Sequence, residues 1–187
     1  MKEISLNILD IAENSVKAGA LLTEIIIDES ADELILTIRD NGSGMPEEIV
    51  RSVANPFYTT RKTRSVGLGI PLLKLAAEQT GGGISITSKT RDGHPDDHGT
   101  EVVARFIKTH IDYTPLGDVI STVKTLVQGH PDRDFLYIHN LNSGRVELDT
   151  RDMREVLEGV PLDCIEVISW IGETLEEQYA ECEKSDK

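Results

Sequence analysis

The chain has 187 residues and a formal net charge of −14, from 19 lysines and arginines against 33 aspartates and glutamates. That length holds one good core, or one domain with a smaller companion, and a surface field of that sign repels nucleic acid and anionic membrane, so a polyanion can be bound only at a local cationic site. No apolar run nears the ~20 residues of a membrane helix, no signal-peptide pattern opens the chain, and Cys164 and Cys182 have neither a metal-ligand spacing nor the number for a disulfide framework; the expectation is no nucleic acid, no membrane insertion and a reducing, cytoplasmic setting.

From Ile4 to Ala18, the apolar residues Ile4, Ile8, Leu9, Ile11, Ala12 and Val16 recur at mostly three- and four-residue steps, which predicts an amphipathic helix stopped by Gly19. Asn7, Asp10, Glu13, Asn14 and Lys17 occupy its other faces, with Asp10 below Asn14 and Glu13 below Lys17. Thr23 to Ile27 and Leu34 to Arg39 read as an antiparallel hairpin around the acidic turn 28–32. It delivers Asp40 to the corner Asp40-Asn41-Gly42-Ser43-Gly44-Met45, where two glycines let the backbone turn beside a strand-end carboxylate. A flat ligand fits such a corner, although a plain surface turn has the same composition.

Pro46 opens a short helix to about Val53, with Glu47 and Glu48 in the favoured first turn. The stretch from Asn55 to Val66 is irregular and carries Thr59, Thr60, Arg61, Lys62 and Arg64, a basic island in an acidic chain. Gly67-Leu68-Gly69 then opens a helix from about Ile70 to Gln79, and glycines before a helix leave its first N–H groups free for an anion such as phosphate. Strands are expected at 84–87 and 101–107. His94 and His98 lie in the polar loop between them and read as exposed rather than metal-binding.

Beyond about Thr109 the pattern predicts a helix from Pro115 to Val127, strands at 134–139 and 145–148, a helix from Thr150 to Leu157 capped by Asp149, and an acidic helix from Pro161 to about Glu183. Trp170, at helical spacing with Ile168 and Ile171, reads as packing in the core or at an interface. No constellation in this segment carries chemistry of its own.

Four of these stretches, in this order, resemble the sequence boxes of the histidine-kinase-like ATPase superfamily, which includes sensor histidine kinases, anti-sigma-factor serine kinases, type II topoisomerases and mismatch-repair ATPases. The Asn-box is similar to Asp10 through Ala20, the first glycine box to Asp40 through Met45, the aromatic box to Pro56 through Arg61, and the second glycine box to Val66 through Ile70; Gly99-Thr100 falls where the family has its last Gly-Thr pair. The resemblance covers about residues 4 to 107. It implies an α/β two-layer sandwich, with a mixed, mostly antiparallel sheet covered by helices on one face. The expected division is an ATP-binding domain over 1–109 and a small α+β C-terminal appendage over 110–187, open to a partner-binding role.

The roles implied by that resemblance are specific. Asp40 accepts from the adenine amino group, supported by Thr100 through water and by the close backbone of Gly42, Gly44 and Met45. Asn14 ligates Mg²⁺ and Lys17 meets a phosphate. Gly67, Leu68 and Gly69 bring backbone N–H groups to the phosphates, while Thr59, Thr60 and Arg61 belong to a lid. Asp10 stands where hydrolysing members place a glutamate; it is a general base or a partner of the Mg²⁺ shell, and the supporting role is the stronger reading. Glu13 points about 100° away and is the weaker candidate.

With the Asn-box helix at the start of the chain, no hairpin bearing a phosphorylated histidine is expected before it, and none of the histidines lies on a clear helix beside an acidic residue. The expected protein therefore binds Mg-ATP and passes the γ-phosphoryl group to a separate protein phosphoacceptor. An ATP-gated protein-binding module with little catalysis and a slow ATPase using Asp10 are the alternatives, and self-association as a homodimer stays open.

Overall fold

The computed structural model describes residues 3–53 and 68–185. Helix α1 (Ile4–Lys17) buries Ile4, Ile8, Ile11 and Ala12, the stripe its periodicity predicts. The hairpin β1 (Leu22–Glu29) and β2 (Glu33–Asp40) follows, with buried and half-buried residues alternating along both strands as period-two side chains require. Then come α2 (Glu47–Val53), α3 (Gly69–Gln79), β3 (Gly83–Lys89), β4 (Gly99–Ile107), α4 (Val119–Gly129), β5 (Asp134–Leu141), β6 (Gly144–Asp149), α5 (Thr150–Leu157) and α6 (Ile165–Ser185).

The strands form one six-stranded sheet in the order β3-β4-β2-β1-β5-β6. The pairings are antiparallel except β1 with β5, which run parallel with Ile25 opposite Tyr137. Ile25, Ile27, Leu36, Ile38, Ala104, Phe106, Phe135 and Tyr137 form the covered face, and α1, α3, α4 and α6 supply Ile8, Leu73, Leu126 and Leu175 above it. The opposite face keeps charged side chains in water, where Arg105 Nε meets Glu33 at 2.6 Å and Arg39 pairs with Glu24 and Glu101. This is the expected two-layer arrangement, with helices on one face.

The C-terminal segment has the expected α+β make-up, but the boundary at 109/110 is no break in the sheet, because β5 pairs directly with β1. Two helix starts differ from expectation. Helix α4 begins at Val119 instead of Pro115, since the carbonyls of Pro115 and Leu116 accept from Ile4 N and Ser5 N at 3.0 and 2.8 Å. Those residues satisfy the first turn of α1, whose amides have no partner within their own helix. Gly117 then turns at φ +80°, and the Asp118 side chain caps α4 by accepting from Ser121 N at 2.8 Å. Helix α6 begins at Ile165, because 161–164 form a turn closed by Cys164 N donating to Pro161 O. Trp170 is 43% exposed, while its neighbours Ile168 and Ile171 are buried.

Candidate functional site

The corner after β2 is held from three directions. Asp40 is half-buried beneath the C-terminal turn of α1, where Ser15, only 3% exposed, donates its hydroxyl to Asp40 Oδ2 at 2.8 Å. The other carboxylate oxygen, Oδ1, accepts from Gly42 N at 2.8 Å. Among the described residues each oxygen has one donor and a further lone pair, so these contacts orient the carboxylate without saturating it.

Gly42 is needed for space. A Cβ there would come within 2.9 Å of both Ala18 Cβ and Asp40 Oδ1. Gly44 is needed for conformation as well, with φ +68° and a would-be Cβ 1.9 Å from the Lys89 carbonyl. The corner is sewn to its surroundings by Asn41 Oδ1, which accepts from Leu21 N and Leu22 N at 2.8 and 3.0 Å, and by Ser43 N, which donates to Ala18 O at 2.9 Å. Met45 N donates to Ser88 Oγ at 2.8 Å.

Thr100 lies directly opposite Asp40 in the β2–β4 register. Its hydroxyl is 2.9 Å from Ser88 Oγ, which is also 2.9 Å from Gly99 O. With Ser88 donating to that carbonyl, the Thr100 hydroxyl donates to Ser88 and keeps its own lone pairs free. Gly99 allows the two strands to meet, since a Cβ there would sit 1.8 Å from Asp40 O. His98 reaches the same corner, and its Nδ1–H donates to the Gly42 carbonyl at 2.6 Å. A cleft of about 560 Å³ borders Asp40 on the side of Arg39, Arg91 and His98, and Glu24, Asp96 and Asp97 also line it.

The second half of the site lies between α1 and α3. Asp10 is exposed, Asn14 half-buried and Lys17 exposed, and these three lie on neighbouring rows of α1. Gly69, the first residue of α3, packs across them: a Cβ there would come 3.1 Å from Asp10 Cβ and 3.6 Å from Asn14 Nδ2. Among the described residues no side chain caps α3, which leaves the amides of Gly69 and Ile70 without an acceptor there. Leu68, 43% exposed, precedes the helix. Lys17 pairs with Glu13 at 3.7 Å, and Glu13 also meets His130 Nε2 at 2.7 Å. Among the described residues, no His, Cys, Asp and Glu side chains gather in a group able to hold a metal ion by themselves.

Thus Asp40, Gly42, Gly44, Met45 and Thr100 share one corner, and Asp10, Asn14, Leu68 and Gly69 share the adjoining junction, while Lys17, one turn beyond Asn14, pairs with Glu13. Thr59, Thr60, Arg61 and Gly67, with the basic island around them, lie outside the described residues. Sequence reasoning missed Ser15, Ser88 and His98 as members of this corner and gave Asn41, within it, no role. Ser15 directly follows Asn14 on a helix and gives no signal of its own, because its partner is 25 residues away.

A family model for histidine kinase-, DNA gyrase B- and HSP90-like ATPases matches residues 1–110. The chain belongs to this family. Among relatives, it is 28% identical over 93 residues to sporulation kinase C of Bacillus subtilis, over 50% of this chain and 21% of that protein. It is 33% identical over 98 residues to the sensor protein SrrB of Staphylococcus aureus, over 50% of this chain and 17% of that one. The chain therefore spans about a fifth or less of these relatives. In fold it is similar to the MutL ATPase domain of Aquifex aeolicus, solved with ADP, at TM-score 0.55 and 16% identity, over 84% of this chain and 70% of that one. It is also similar to the N-terminal domain of a DNA repair protein, at TM-score 0.56 and 14% identity, over 80% of this chain and 52% of that one. Both structural likenesses cover more of the chain than 1–110, so the shared fold takes in part of the C-terminal segment.

Proposed function

We propose that the protein binds Mg-ATP in the cytoplasm and passes the γ-phosphoryl group to a separate protein. The observation that carries the nucleotide reading is the Asp40 carboxylate, fixed by Ser15 and Gly42 with, among the described residues, a lone pair left on each oxygen. An adenine amino group supplies the donor that such a carboxylate takes, and Thr100 opposite can accept or relay through water. The phosphates would extend toward the start of α3, which no side chain among the described residues caps, with Lys17 as a point charge.

The donor set fits Mg²⁺ in this setting. A hard cation takes the amide oxygen of Asn14 together with phosphate oxygens and water, and with no side chain of its own Gly69 lets the start of α3 come close to Asp10 and Asn14. When bound, the ion neutralises phosphate charge. Asp10, exposed beside Asn14, would hold a water of that shell.

Titration calorimetry with ATP in the presence and absence of Mg²⁺ tests the reading. The parent binds, and Asp40→Asn, which replaces one acceptor oxygen with a donor, loses binding at least about tenfold. Equal affinity in the two would refute adenine recognition by Asp40. Transfer is tested by incubating γ-labelled ATP with proteins from the same operon. Label that never leaves ATP sinks the transfer claim and leaves an ATP-gated module, in which 110–187 would contact the partner. Label that appears only as phosphate, and disappears in Asp10→Asn while binding survives, assigns slow hydrolysis.

A further inference from the structure

A side chain of the C-terminal segment, His130, meets the half of α1 that carries Asn14 and Lys17. Helices α1 and α4 lie side by side: Thr122 Oγ1 donates to Ser5 O at 3.3 Å near their starts, and His130, the C-cap of α4, meets Glu13 at 2.7 Å near their ends. Glu13 is thus shared, with Oε1 on His130 Nε2 and Oε2 on Lys17 Nζ at 3.7 Å. His130 is 23% exposed and Lys17 55%, so the histidine contact is the firmer and the lysine is held loosely.

We infer that His130 is a positioning residue for the nucleotide, acting through Glu13 on Lys17. This rests on the Mg-ATP reading above. In the unliganded protein Lys17 rests on Glu13, and a triphosphate must draw it away. While His130 donates to Glu13, part of the carboxylate charge is already satisfied, which loosens its hold on Lys17 and weakens its repulsion of the phosphates. Without that donor, Glu13 holds Lys17 harder and repels the phosphates more. The tail segment would thereby set the affinity for the charged end of the ligand and leave the adenine end untouched. A partner that engaged α4 and displaced His130 would lower ATP affinity.

The test is a double-mutant cycle read as the ratio of ATP to AMP affinity, which a general loosening of the fold would not change. His130→Ala lowers the ratio about two- to fivefold, the range of a half-exposed charged contact. His130→Gln, whose amide still donates, restores it, and Glu13→Gln raises it by a similar factor. In the Glu13→Gln background, His130→Ala has no further effect. An unchanged ratio in His130→Ala, or an effect that persists without Glu13, overturns the inference alone. A parent protein that does not bind ATP overturns the nucleotide reading beneath it as well.

Discussion

Glu29, at the far end of β1 from the candidate site, offers the sharpest test of how the two halves of the chain are joined. Its carboxylate accepts from His139 Nε2 at 2.9 Å and from Lys108 Nζ at 2.6 Å. His139 is 2% exposed; with its proton on Nε2, Nδ1 accepts from the Tyr179 hydroxyl at 2.7 Å, and Tyr179 accepts from Tyr137 at 2.6 Å. One chain of hydrogen bonds therefore links β1, β5 and α6, and Lys108, just after β4, joins it. Burial holds Tyr179 at about 12 and raises Tyr137 further, so both remain donors in ordinary buffers.

The hydrogen bond from His139, aided by Lys108, lowers the Glu29 carboxyl from 4.5 to about 2 against the opposing effect of burial. Undiscounted, that difference is worth ~3 kcal/mol. Water reaches a side chain that is 20% exposed, and screening brings the figure to ~2 kcal/mol. Because the folded value is depressed, the stabilisation is present above about pH 4.5 and fades as pH falls toward 2. Glu29→Gln cannot ionise, so its deficit should be ~2 kcal/mol or more at pH 7, where Lys108 also loses its partner, and should shrink as both proteins are titrated to pH ~3. Urea unfolding by far-UV circular dichroism at pH 7, 5, 4 and 3 measures the gap directly. A deficit that stays constant over that range would refute the coupling.

Other expected outcomes are local. Gly42→Ala must push the Asp40 carboxylate off Gly42 N, because the new Cβ would lie 2.9 Å from Oδ1; ATP affinity in calorimetry should fall about tenfold or more, while the melting temperature moves by only a few degrees. Asn7 is 1% exposed and both polar atoms of its side chain lack a hydrogen-bond partner among the described residues, so Asn7→Leu should stabilise the fold by ~1 kcal/mol in urea unfolding. Asp149 caps α5 by accepting from Arg151 N at 2.9 Å, and Asp149→Ala should cost ~1 kcal/mol in the same assay.

The helices and strands were legible because their signals are local. The stripe of α1, the alternation in β1 and β2, and the cap at Asp149 are each readable within a window of a few residues. The start of α4 was not, because Pro115 and Leu116 are claimed by the amides of Ile4 and Ser5, more than a hundred residues away. The corner was legible as glycines around an aspartate, since Gly42, Gly44 and Gly99 answer steric demands that few other residues meet. Ser15 and His98 were not: a helical serine and a loop histidine are ordinary until the fold brings them to Asp40 and Gly42. The parallel pairing of β1 with β5 has no signature in either strand, because both are equally buried toward the helices.

That pairing bears on how the site is supported. The family model spans 1–110, yet in this protein a chain ending there would leave β1 as an open edge. The corner depends on that edge: Asn41 Oδ1 holds Leu21 N and Leu22 N, and Leu21 O in turn accepts from Asp134 N at 2.9 Å. Truncation would also remove Val123, Leu126, Phe135, Tyr137, Val146, Ile171 and Leu175 from the core, side chains worth ~1.5–3 kcal/mol each on burial, against a total stability of only ~5–15 kcal/mol for a domain of this kind. A protein comprising 1–110 should therefore show no cooperative urea transition and no ATP binding, while the full chain shows both. A sharp transition with native-like affinity in the truncated chain would establish that residues 1–110 fold alone, and that β5 and β6 were laid against a sheet already complete.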